Sequence, residues 1–110
     1  MATKSRANKD ALTYLSRSGW VGAPAGQLYR YKNLRLITLR HLKMWRPAYC
    51  HDIFDAIPND TPDKHYVLAR VTSGSGTDFW TTNRATVLGV SPDVTTLIAT
   101  AKLLGEIPNG

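Results

Sequence analysis

The clearest apolar rhythm in the chain lies near its end, where Val94, Leu97, Ile98, Ala101 and Leu104 recur at i, i+3, i+4, i+7 and i+10. That spacing draws one stripe along a helix and predicts a core-packing element. Its limits are written beside it: Ser91 as cap, Pro92 at the first helical position, Asp93 in the first turn, Lys102 in the last and Gly105 just beyond. Residues 106–110 then read as a tail. A second helix is expected over roughly residues 5–18, capped by Ser5 and striped by Ala7, Ala11, Leu12 and Leu15. Gly19 stands where a left-handed residue ends a helix, and Trp20 is placed to fold back on Leu15. Lys4, Arg6, Lys9 and Arg17 fall off the stripe and are expected in solvent, where they either keep the helix soluble or extend a basic face, with residues 1–4 a flexible basic tail.

Between the helices the pattern shortens to alternation. Residues 19–27, GWVGAPAGQ, are rich in glycine and read as a loop. In residues 28–45 the apolar positions scatter round a helical wheel but alternate locally. Leu34 and Leu36 flank Arg35, Ile37 and Leu39 flank Thr38, and Leu42 and Met44 flank Lys43. Two extended segments joined by a tight turn at Lys32 and Asn33 are predicted. The phase slip at Ile37 implies a bulge or a strand buried on both faces. A buried helix is the competing reading, because Leu, Arg, Lys and Met favour helix. Pro47 ends the run, residues 49–57 fit a short strand or one helical turn, and residues 58–63, PNDTPD, fit an exposed turn. YVLARV and DFWTTNRATVLGV are strands of a hairpin whose tip, residues 72–77, is rich in Gly and Ser and expected to be mobile. The order of elements predicts a single α+β domain over residues 1–110. Its sheet is mainly antiparallel, of about four strands, with the C-terminal amphipathic helix packed on it.

Composition changes this picture in one respect. An apolar fraction of 43% and a charged fraction of 20% are ordinary for a globular domain, but the net charge is +6. Residues 1–51 hold ten Lys and Arg against one acid, Asp10, while residues 52–110 hold four against seven. Such a division points to two different surfaces and an acidic partner for the first, nucleic acid before any other. The lone Cys50 excludes an intramolecular disulfide and fits a reducing, cytoplasmic setting. The N-terminus lacks a secretory pattern, and no apolar run reaches the ~20 residues that span a bilayer. No membrane partner and no small-molecule substrate is indicated.

The basic charge is concentrated in residues 28–49, which contain no acid. Arg30, Lys32, Arg35, Arg40, Lys43 and Arg46 are the candidate phosphate contacts, and Tyr29, Tyr31 and Trp45 the candidate stacking rings. Each ring has a competing place in the core, as does Trp80. A second reading is self-association through oppositely charged surfaces, which would suit a small assembly protein of viral or mobile-element type. A third is a metal-independent ribonuclease, for which His41 beside Arg40 is the best candidate acid–base group, with His51 and His65 as further histidines. No complete catalytic or cofactor motif supports it. Cys50, His51, Asp52, Asp55 and His65 have the types but not the spacing of a zinc site. Asp55, Asn59, Asp60 and Asp63 lack the glycine and glutamate of a calcium loop. Neither metal nor cofactor is expected.

Overall fold

The computed structural model describes residues 6–22, 28–44, 51–71 and 85–108. The elements run α1 (Arg6–Arg17), β1 (Val21–Gly22), β2 (Leu28–Tyr31), β3 (Leu34–Thr38), α2 (Leu39–Met44), α3 (His51–Asp55), β4 (Tyr66–Val71), β5 (Ala85–Ser91) and α4 (Val94–Leu103). The strands form one sheet in sequence order, every neighbouring pair antiparallel. The class is α+β, with five strands where about four were expected. The extra one is β1, two residues inside the glycine-rich stretch. It exists only because Val21 and Gly22 pair with Arg30 and Tyr29.

Both faces of the sheet are covered. Leu34 and Leu36 of β3 and Tyr66 and Leu68 of β4 pack with Ala11, Leu15, Val94, Leu97 and Ala101, so α1 and α4 lie on one face. The alternate residues Ile37, Val67, Ala69 and Ala85 pack with Leu39, Leu42, Ile53, Phe54 and Ile57, so α2 and α3 lie on the other. The apolar slip at Ile37 therefore marks a strand buried on both faces. The sheet's bulge lies elsewhere, where the register shifts between Leu68 and Ala69 and leaves Leu88 as the extra residue of β5. That extra residue lets Val87 and Val90 reach the same cluster although they are three apart.

The helix ends follow local chemistry at one terminus and distant chemistry at the other. Gly19 adopts φ +96°, and the Trp20 N–H donates to the Leu15 carbonyl at 3.1 Å, with Trp20 buried in the same cluster as Leu15. Gly105 does the same for α4 at φ +75°, with Glu106 N–H donating to Ala101 O at 3.0 Å. The start of α4 departs from expectation. Ser91 is the last residue of β5, Asp93 is the cap residue, and its side chain makes no capping bond. The cap comes from α1: Asn8 Oδ1 accepts the Val94 N–H at 2.8 Å, and Asn8 Nδ2 donates to the Pro92 carbonyl at 2.8 Å.

Two further expectations need correction. The second extended segment stops at Thr38, and residues 39–44 are helical, with Leu39 and Leu42 buried on one side and Met44 in solvent. Thr38 caps this helix by accepting the His41 N–H on Oγ1 at 3.2 Å. Residues 106–108 are not a loose tail, since Ile107 is buried beside α1 and α4 and Glu106 bridges to Arg70. Leu104, placed on the apolar stripe by spacing, is mostly exposed. Ser5, the N-terminal tail at residues 1–4 and the hairpin tip at residues 72–77 lie outside the described residues.

Candidate functional site

In β2 the sequence interleaves rings and cations, and strand alternation then separates them. Tyr29 and Tyr31 turn toward the α1 and α4 face and pack against its core, whereas Arg30 turns to the opposite face. Tyr31 stacks on Trp20, with ring centroids 5.5 Å apart and planes at 23°. Tyr29 lies over Gly22, where a Cβ would come within 3.3 Å of the ring. Tyr29 also helps burial to push the Tyr66 phenol above its ordinary range. Tyr29 and Tyr31, two of the three candidate stacking rings, are thus half-buried parts of the fold.

The cations divide three ways. Arg30, Lys32 and Arg40 are exposed. Lys32 occupies the turn between β2 and β3 with φ +52°, and its Nζ sits 5.5 Å from the Tyr31 ring centre. Arg35 is fully buried, at 0% exposure, so it does not reach the surface from which a phosphate would approach. Its Nη1 donates to the carbonyls of Lys32 and Leu34, both at 2.8 Å, and so braces the hairpin turn. Burial, and secondarily the neighbouring Arg30, lower its pKa from the ordinary arginine value, although a guanidinium remains charged at neutral pH. Lys43 is exposed but engaged, its Nζ 2.7 Å from Asp63 Oδ1. Arg46 and Trp45 lie outside the described residues, as do Tyr49, Cys50, Trp80 and Arg84.

His41 is half-buried on α2, and burial lowers its pKa below the ordinary imidazole value. A neutral ring at neutral pH suits a proton acceptor. Among the described residues, however, no three His, Cys, Asp or Glu side chains gather as metal ligands, and no helix is long and apolar enough to cross a membrane. Lys9, Arg17 and Lys64 are further exposed cations that the acid-free run did not include. The signal for them is weaker, because each stands among neutral or acidic neighbours. No protein-family model, curated protein or solved structure matches this chain.

Proposed function

We propose that the protein binds nucleic acid through its phosphates, using the β2–β3 hairpin and the start of α2. The observation that carries this reading is that Arg30, Lys32 and Arg40 all reach solvent from residues 28–44, a stretch that contains no acid. Phosphate neutralisation by such groups releases condensed counterions and favours binding without regard to sequence. Stacking by Tyr29 and Tyr31 contributes little in this reading, since both rings pack against the core. The contact set is narrower than the basic run, because Arg35 is buried and Lys43 is paired.

The test is fluorescence anisotropy of labelled single- and double-stranded oligonucleotides over a salt series. Replacing Arg30, Lys32 and Arg40 together by Ala should weaken binding to a similar degree on unrelated sequences. It should also flatten the salt dependence by about 0.7–0.9 in log–log slope for each lost phosphate contact. Equal affinity of the triple variant and the parent would reject the assignment.

A further inference from the structure

Among the described strands the sheet ends at β5, and apart from the bulge at Leu88 this strand carries none of the residues that usually protect an open edge. Strand order places β4 on one side of it and no described strand on the other. A seven-residue strand therefore presents an outer row of N–H and C=O groups, the usual template for another strand. Charge or proline normally blunts such an edge, and Ala85–Ser91 contains neither. The burial of its side chains matches an edge position. Val87, Leu88 and Val90 contact the two core clusters yet remain half-exposed, while Val67, Leu68 and Ala69, one strand inward, are buried.

The same rim continues onto α4. Thr100 Cγ2 lies 4.0 Å from where a Cβ on Gly89 would stand, so this flank of the helix overhangs β5. Thr96, Thr100 and Leu103 share that flank by helical spacing. The other flank belongs to α1, where Lys102 Nζ sits 5.4 Å from the Tyr14 ring centre. Leu103 is 87% exposed, the largest exposure among the big apolar side chains described.

We infer that this rim joins two copies of the chain, with β5 pairing antiparallel to β5 of a second copy to extend the sheet across a two-fold axis. An antiparallel strand is its own complement under that symmetry, which an unrelated partner would have to match by chance. Charge selects the place. Copies carrying +6 each repel, and the rim formed by β5, Thr96, Thr100 and Leu103 bears no charged side chain. A two-fold axis normal to the sheet also sets α4 beside its mate on one face, which covers Leu103. This inference does not depend on nucleic-acid binding.

Equilibrium sedimentation of the nuclease-treated full chain at low and high salt tests it. The expected mass is twice the 12.2 kDa of one chain, and high salt should hold or strengthen the dimer by screening the mutual repulsion. Thr86→Lys and Leu103→Lys, each at an exposed position, should separately raise the dissociation constant by about tenfold or more, about 1.4 kcal/mol, with circular dichroism unchanged. Amide exchange across residues 85–91 should slow as the parent is concentrated, but not in the variants. A chain that stays at 12.2 kDa at millimolar concentration overturns the inference, as does a dimer indifferent to both substitutions or one that dissolves in salt.

Discussion

Asn8 joins the first helix to the last through one side-chain amide, and it is among the few polar residues buried in the described structure. Asn8→Ala would leave the Val94 N–H and the Pro92 carbonyl without that partner. We expect a loss of about 1–2 kcal/mol in urea unfolding, the usual range for removing a cap. Gly89 is constrained differently. At the bulge it turns toward α4, and a Cβ there would stand 2.9 Å from Leu97 Cδ2. Beside Leu97 is an apolar cavity of about 10 Å³, lined also by Leu15, Trp20, Leu36, Leu68, Ile98 and Ala101, which is too small to absorb the displaced side chain. Gly89→Ala should therefore cost about 1–3 kcal/mol as overpacking, and Leu97→Val in the same chain should recover part of it, a non-additivity that a double-mutant cycle reads directly. His41 supplies the pH dependence. Its folded pKa lies below the unfolded value, so its contribution to stability is present above about pH 6.5 and is lost as pH falls through the folded pKa. Unfolding midpoints should drop between pH 7 and 5, and His41→Asn should flatten that drop.

At the scale of elements, what could be read from the chain depended on how far each element carries its own instructions. Helix α4 has an apolar stripe from Val94 to Ala101 and a glycine stop, and α1 has the Leu15–Gly19–Trp20 ending, so both emerge from short windows. Helix α2 does not, because Leu39 and Leu42 alone cannot separate a six-residue helix from a strand, and alternation about Lys43 favoured the wrong period. The informative residue was Thr38, a cap just ahead of that pair. Thr38→Val should cost about 1 kcal/mol while Thr38→Ser retains most of the stability, measured by chemical unfolding. Strand β1 and the cap of α4 were illegible for a simpler reason: each is made by a partner elsewhere in the chain, β2 in one case and Asn8 in the other. The candidate site divides the same way. The separation of Tyr29 and Tyr31 from Arg30 follows from alternation alone once β2 is a strand. The burial of Arg35 does not, since it depends on which elements cover that face.

Over the whole molecule, acids of the second half of the chain hold cations of both halves. Asp63, in the turn before β4, holds Lys43 of α2, and Glu106, after α4, holds Arg70. Lys43 and Asp63 are 40% and 59% exposed, so their pairing adds little to stability, about 0–1 kcal/mol. Its electrostatic effect outside the protein is larger than its effect within. The carboxylate cancels one of the charges that α2 would otherwise present beside Arg40, and unlike the buried Arg35 this cation can be released by a single exposed change. Asp63→Asn removes one negative charge, raises the net charge above +6 and frees the Lys43 ammonium without opening the core. If α2 belongs to the phosphate-binding surface, the variant should bind oligonucleotide more tightly at low salt. Its salt slope should be steeper by about 0.7–0.9, the reverse of the change expected for loss of a basic contact. Its melting temperature should stay near that of the parent. An unchanged slope would confine the contact to the β2–β3 hairpin, leaving Arg30 and Lys32 as the cations that meet the polyanion.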